Sequence, residues 1–117
     1  MNIKELESVN IELPEDADKG IVLIDIYTLW CGPCKFVAPI LHKLRDEGLF
    51  KLIQVDLDQN RPLGEMFGIT AIPTLLFFND GELIDGIIEV NGQALVQGGI
   101  MVGAAGEKIL RRIIEQI

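Results

Sequence analysis

The sequence has neither long apolar runs nor clusters of positive charge. Its longest apolar stretches, such as residues 21–24 and 75–78, are far shorter than the roughly 20 residues that a membrane-spanning helix needs. The first residues contain no basic segment followed by an apolar core, so no secretory signal is expected. The net charge is -8, and a charge of this sign repels nucleic acids and anionic membranes. We expect a cytoplasmic protein with neither kind of partner.

Cysteine and histidine are scarce. Cys31 and Cys34 are the only cysteines and His42 is the only histidine. A C-x2-C pair is half of a four-thiolate zinc or iron-sulfur site, but there is no second pair. His42 would lie about 12 Å along a helix from Cys34, so only a dimer could complete a metal site. We therefore expect no metal and no cofactor, and we interpret His42 as a solvated surface residue.

The composition predicts one domain, residues 1–117, with an ordinary core. The chain has 117 residues, of which 49% are hydrophobic and 24% are charged. Hydrophobic patterning predicts a short helix and then a loop in residues 1–19, followed by the elements of an α/β protein. These are buried strand 20–29, helix 34–48 with Pro39 inside it, strand 51–58, helix 61–67, strand 74–78 and a closing helix 107–117.

Two turn signals lie in the C-terminal half of the chain. Asn79-Asp80-Gly81 predicts a hairpin after the strand at 74–78, and Asn91-Gly92 predicts another between apolar segments. An extra or lengthened β-hairpin is therefore expected around residues 82–103. Its apolar content suggests a surface that contacts a partner protein or a second copy of the chain, which would make a homodimer.

Both cysteines lie where the strand pattern changes to a helical one, in the segment Trp-Cys-Gly-Pro-Cys-Lys at residues 30–35. A thiol at the first turn of a helix is close to unpaired N–H groups, which favour its thiolate, so Cys31 is the candidate nucleophile. Gly32 and Pro33 form a tight turn that brings Cys34 within reach to resolve a mixed disulfide. A structural disulfide closing so short a loop would add little stability, so the pair is predicted to be redox-active.

Asp25 interrupts the apolar strand six residues before Cys31. Burial in such a strand would raise the pKa of this carboxyl, which would suit it to proton transfer near neutral pH. The alternative is that Asp25 lies at a sheet edge and is solvated.

These residues, together with Pro39 five positions after Cys34 and Ala71-Ile72-Pro73-Thr74 before a strand, resemble the thioredoxin family over about residues 20–81. The resemblance implies the thioredoxin fold, in which a central mixed β-sheet has helices on both faces. It also implies a thiol–disulfide oxidoreductase that reduces protein disulfides through Cys31 and Cys34. Its partners would be disulfide-containing proteins and a thioredoxin reductase or equivalent dithiol donor.

The resemblance further implies roles for individual residues. Asp25 would be the base for Cys34. Pro73 would be cis and would face the cysteines, leaving the Ile72 backbone free to pair with an extended substrate, and Trp30 would frame the same groove. The groove glycine could be Gly92 or Gly103, of which Gly103 is favoured because it leads into the last helix.

Gln54 departs from the family, in which a lysine commonly occupies this position near the buried acid. Without that positive charge, the pKa of Asp25 is predicted to be higher than in relatives that carry the lysine. The alternative function is a thioredoxin-fold interaction module whose extra hairpin binds a partner.

Overall fold

Seven strands and three α-helices form the protein in the computed structural model, which describes all residues from Met1 to Ile117. The strands are β1 (Ile21–Tyr27), β2 (Lys51–Asp56), β3 (Thr74–Asn79), β4 (Glu82–Leu83), β5 (Ile87–Val90), β6 (Gln93–Gln97) and β7 (Ile100–Val102). The helices are α1 (Gly32–Asp46), α2 (Arg61–Phe67) and α3 (Glu107–Glu115), and two 3-10 helices cover Ile3–Val9 and Leu57–Gln59. None of the helices has the length and apolar character needed to cross a bilayer.

All seven strands belong to one sheet, in which six lie side by side in the order β2-β1-β3-β7-β6-β5. β1 is parallel to β2 and antiparallel to β3, so the predicted mixed sheet is confirmed. β4 pairs with the end of β3, while β7 pairs with its beginning. β1 therefore lies between two neighbours in the interior of the sheet, where its backbone groups are paired on both sides.

Helices cover both faces of the sheet, as predicted, because strand side chains alternate between the faces and form two apolar clusters. The first cluster joins β1 and β3 to α1 and α3 through Leu23, Leu75, Phe77, Val37, Leu41, Leu110 and Ile113. The second joins the same strands to the first 3-10 helix and α2 through Val22, Ile24, Leu76, Phe78, Ile3, Leu6 and Leu63.

Several predicted element boundaries were wrong by one or two residues, and two of these differences have a clear local cause. α1 begins at Gly32 rather than at Cys34, because Cys31 caps it and Pro33 in its first turn has a backbone angle that already suits a helix. β2 ends at Asp56 rather than at Asp58. The Asp56 side chain accepts a hydrogen bond from the Asp58 N–H at 2.9 Å and turns the chain into the second 3-10 helix.

The predicted hairpins are confirmed, with β3 and β4 joined at Asp80-Gly81 and β5 and β6 joined at Asn91-Gly92. All four turn residues have positive φ, as this type of turn requires. The prediction that the extra hairpin contacts a second copy of the chain or a partner protein stays a prediction, and only part of its apolar content is exposed for such a contact. Three of them are buried in the first cluster with α3, namely Ile88, Val90 and Val96, whereas Ile87 is 62% exposed.

Gly99 fixes the approach of β7 to β3. It has φ +81°, and its carbonyl accepts a hydrogen bond from the Phe77 N–H at 2.8 Å. A Cβ atom at this position would lie 2.6 Å from Leu83 Cδ1, which is too close for an ordinary contact. Only glycine satisfies both the backbone angle and the close packing here.

Candidate active site

Cys31 and Cys34 form a disulfide at the N-terminus of α1, as predicted. Cys31 is the N-cap residue, and its Sγ accepts a hydrogen bond from the Cys34 N–H at 3.2 Å. The two cysteines are 5% and 3% exposed. When the pair is reduced, the same N–H and the positive end of the helix dipole favour a thiolate on Cys31. No group of three or more histidine, cysteine or acidic side chains is arranged to hold a metal ion.

Trp30 lies beside the disulfide with its ring in solvent. Its side chain is 71% exposed, and its indole Nε1 donates a hydrogen bond to Asp58 Oδ2 at 2.9 Å. The second 3-10 helix, which carries Asp58, therefore holds the ring in one orientation. Asp58 could not be identified as a site residue beforehand, because nothing in the sequence shows that β2 ends early enough to bring this residue to the motif.

Asp25 is buried within the sheet. It is 1% exposed, and its neighbours across the strands are Gln54 and Leu75. It shares a face of β1 with Leu23, which packs against α1, so its carboxyl lies on the side of the sheet that carries the cysteines. The alternative of a solvated Asp25 at a sheet edge was wrong.

The carboxyl of Asp25 makes one hydrogen bond. Oδ2 accepts from the Gln54 side-chain amide at 3.1 Å, whereas Oδ1 is buried without a protein partner. Burial raises the pKa of Asp25 above its ordinary value, and the Gln54 hydrogen bond and the charge of His42 offset part of that rise. This carboxyl can therefore hold a proton at a higher pH than an exposed aspartate can.

His42 is not the solvated surface residue that was expected. It is half-buried, and its Nε2 lies 2.9 Å from Gln54 Oε1, so the imidazole and Asp25 bind opposite ends of one amide. The helical rise correctly placed His42 far along α1 from Cys34. The sequence could not show that β2 would present Gln54 to it, because this contact depends on how α1 lies across β1 and β2.

Ile72 and Pro73 lie at the same end of the sheet as the cysteine motif. Thr74 is paired with Ile26 near the end of β1, and the motif follows shortly after β1. The Ile72–Pro73 peptide bond is cis, as predicted. Neither the N–H nor the carbonyl of Ile72 makes a hydrogen bond within the protein.

Of the two glycines considered for the groove, Gly103 lies beside Pro73. Its N–H donates a hydrogen bond to the Pro73 carbonyl at 2.8 Å. Gly92 instead lies in the turn between β5 and β6, at the outer edge of the sheet. Gly103 is thus the glycine that the structure brings to the end of the sheet where the disulfide lies.

The sequence and the fold match known proteins. The thioredoxin family model matches residues 6–99. The thioredoxin of Listeria monocytogenes is 38% identical over 88 residues, which cover 74% of this chain and 84% of that protein. The thioredoxin of Bacillus subtilis is 39% identical over 72 residues, which cover 60% of this chain and 69% of that protein.

Solved structures agree with this assignment. A mutant thioredoxin from Halobacterium salinarum aligns with a TM-score of 0.69 and 29% identity, covering 97% of this chain and 82% of that one. Mitochondrial thioredoxin 3 from Saccharomyces cerevisiae, in its oxidised form, aligns with a TM-score of 0.64 and 27% identity over 85% of this chain and 80% of that one. The protein therefore belongs to the thioredoxin family and is a protein-disulfide reductase that works by thiol–disulfide exchange at Cys31 and Cys34.

Proposed function

We propose that Cys31 is the attacking thiolate, Cys34 the resolving thiol and Asp25 the base in this exchange. The Cys31 thiolate attacks one sulfur of a substrate disulfide, and the other sulfur leaves as a thiolate. Asp25 then takes the proton of the Cys34 thiol, and Cys34 attacks Cys31 in the mixed disulfide. The substrate leaves fully reduced, and its two electrons come from the dithiol, which becomes the Cys31–Cys34 disulfide.

The observation that carries this assignment is the hydrogen bond from the Cys34 N–H to Cys31 Sγ. The N-cap position places Cys31 at the positive end of α1, whereas Cys34 lies one turn inside the helix. The two thiols therefore differ in their stabilisation as thiolates, and the inner one needs a base. Asp25 supplies a carboxyl with one oxygen, Oδ1, that no protein group occupies.

The proposed substrate groove consists of Trp30, Ile72, Pro73 and Gly103. The free backbone N–H and carbonyl of Ile72 support pairing with an extended substrate segment through main-chain hydrogen bonds. Such bonds do not depend on the substrate's side chains. We therefore expect the protein to act on many different disulfide-bonded proteins.

Family membership implies disulfide-containing substrates and a thioredoxin reductase as partners. The finer proposal is that a thioredoxin reductase, or an equivalent dithiol donor, reduces the Cys31–Cys34 disulfide in the cytoplasm. A reductant must return to its dithiol form after each turnover, and a reducing compartment maintains that form. The reduction potential tests this role, since a value well below about -230 mV is expected of a reductant, whereas about -180 to -120 mV is typical of an isomerase or oxidant.

Trapping tests the order of the two thiols. Cys34→Ser should accumulate a mixed disulfide between Cys31 and a disulfide-bonded substrate such as insulin, detected as a mass increase that a reductant reverses. Cys31→Ser is the matched control and should accumulate none. Equal trapping by both variants would contradict the assignment of Cys31 as the nucleophile. The role of Asp25 is tested separately, because Asp25→Asn should slow the resolving step without preventing formation of the mixed disulfide.

The outer edge of the sheet favours a second role, in contact with another copy of the chain. β5 is the last strand and pairs only with β6, and its first residue, Ile87, is 62% exposed. A two-fold axis beside this strand would pair β5 with its own copy, which would cover the free backbone groups and Ile87 together. Sedimentation at high concentration should then show a dimer for the wild type and a monomer for Ile87→Lys. A monomeric wild type would exclude this contact.

A further inference from the structure

Gln54 connects the buried acid to a half-buried imidazole. Its Nε2 lies 3.1 Å from Asp25 Oδ2, and its Oε1 lies 2.9 Å from His42 Nε2. The three residues come from different elements, since β1 carries Asp25, β2 carries Gln54 and α1 carries His42. They form one continuous hydrogen-bonded chain from the core to the surface side of α1.

The amide gives this chain a direction. The Gln54 oxygen can only accept, so in the observed arrangement His42 Nε2 donates to it, and the Gln54 nitrogen donates to Asp25. This direction suits an ionised Asp25 and is strongest when the imidazole is protonated. If Asp25 carries a proton, the amide can turn over, so that it accepts from the carboxylic acid and donates to a neutral His42.

We propose that His42 is a positioning residue for the reductase, which acts through the amide of Gln54 to set how readily Asp25 accepts the proton of Cys34. This inference rests on the proposed role of Asp25 as the base. A protonated His42 donates to the Gln54 oxygen and so favours the amide orientation that suits an ionised Asp25. When Asp25 is protonated, the amide is reversed, and a neutral His42 can accept a hydrogen bond from the Gln54 nitrogen. The charge states of the two ends are therefore linked, although only one of them lies in the core.

The link keeps Asp25 hydrogen-bonded during the resolving step. Cys34 gives its proton to Asp25, and its sulfur keeps the electron pair with which it attacks Cys31. As Asp25 becomes neutral, the amide can reverse, so that its oxygen accepts from the carboxylic acid and its nitrogen donates to the imidazole. Asp25 therefore has a hydrogen-bond partner in both of its charge states, which limits the cost of changing a charge in the core.

Few other charges compete for this position. Strand and helix spacing put five charged or titratable groups on the same side, namely Tyr27 on β1, Asp56 on β2, and Lys35, Arg45 and Asp46 on α1. Arg45 is paired with Asp46, and Lys43, also on α1, is paired with Glu107 of α3. β3 contributes no charged side chain. None of these groups bonds to Gln54, so His42 alone is hydrogen-bonded to the amide that holds Asp25.

The test is to titrate the Asp25 carboxyl in the oxidised protein, where the cysteines do not titrate, and to monitor the titration by carbon NMR. His42→Ala should move the midpoint of Asp25 upward, and His42→Gln, which keeps a neutral donor, should move it less. In the reduced protein, the acid limb of the resolving step should then shift to higher pH. At the pH values of that limb, the resolving step of His42→Ala should be slower than that of the wild type by roughly two- to tenfold, which is equivalent to the loss of one net hydrogen bond. At higher pH the two rates should be equal.

Two further variants make the result specific. Arg45→Gln removes a positive charge from the same side of α1 without touching Gln54, and it should leave the Asp25 midpoint nearly unchanged. In a Gln54→Leu background, His42→Ala should lose most of its effect, because the amide that couples the two ends is gone. An unmoved midpoint in His42→Ala, or an equal shift in Arg45→Gln, would overturn the proposal. The titration does not depend on catalysis. If Asp25→Asn leaves the resolving rate unchanged while His42→Ala still shifts the Asp25 midpoint, the base role and the part of His42 in the resolving step fail, and only the coupling of His42 to Asp25 through Gln54 stands.

Discussion

Replacing Asp25 with asparagine should make the oxidised protein more stable at neutral and alkaline pH. The carboxyl is 1% exposed and has only one hydrogen bond, from Gln54, so its ionised form is poorly compensated in the core. Asparagine has nearly the same shape and can accept the same bond, but it never ionises. The two proteins therefore differ mainly in the cost of a buried negative charge.

The sign follows from the raised pKa of Asp25 in the folded state. Below the ordinary value of about 3.8, the folded and unfolded chains are both protonated, so ionisation contributes nothing to the difference between the two proteins. Between that value and the raised one, the unfolded chain has released a proton that the folded chain retains. The free energy of unfolding of the wild type therefore falls as pH rises, relative to the variant, by at most about 1.4 kcal/mol per pH unit.

Above the raised pKa the difference becomes constant, and we expect the variant to be more stable there by about 1–3 kcal/mol, the usual cost of a buried group without a full set of partners. Urea unfolding followed by circular dichroism between pH 4 and 9 measures this curve. Asp18→Asn is the matched control, because Asp18 is exposed and makes no hydrogen bond through its side chain. A difference between wild type and Asp25→Asn that does not change with pH would refute the argument that Asp25 ionises at a cost within the core.

Three further predictions concern other parts of the fold. Gly99→Ala should destabilise the protein by about 2–3 kcal/mol in urea unfolding, because it adds a clash to an unfavourable φ, whereas Gly98→Ala, with φ +57° and open space, should cost only about 1 kcal/mol. Arg111→Gln should lower stability at neutral pH, and this loss should shrink as pH falls below the ordinary glutamate value of 4.5, since the two glutamates that it bridges have lowered pKa values and their contribution disappears once both are protonated. Asp58→Ala should reduce the fluorescence anisotropy of Trp30, the only tryptophan, and no change would show that the hydrogen bond does not hold the ring.

Much of the fold could be predicted because local patterns and long-range packing agree. The buried run of β1, the turns at Asp80-Gly81 and Asn91-Gly92 and the helix after the cysteines were all visible as short-range signals. The redox pair was equally clear, since the two cysteines stand at the start of a helix.

The remaining features depend on register and packing, which the sequence does not show. Gln54 reaches Asp25 because β1 and β2 pair in one particular register, and His42 reaches Gln54 because α1 lies across that pair. The expectation of a solvated histidine failed for this reason. Likewise, the apolar residues of the extra hairpin cannot be assigned to a face until the position of α3 is known.

The place of the added strands in the sheet bears on protein engineering. β5 and the Asn91-Gly92 turn are four strand positions away from β1, or about 19 Å at ordinary strand spacing, and they contribute no residue to the redox site. The turn is exposed and bordered by antiparallel strands, which is the kind of position that tolerates inserted sequence. A peptide tag or a small binding loop placed there would be carried on the far edge of an intact reductase, so the enzyme could be directed to a chosen target without altering its chemistry.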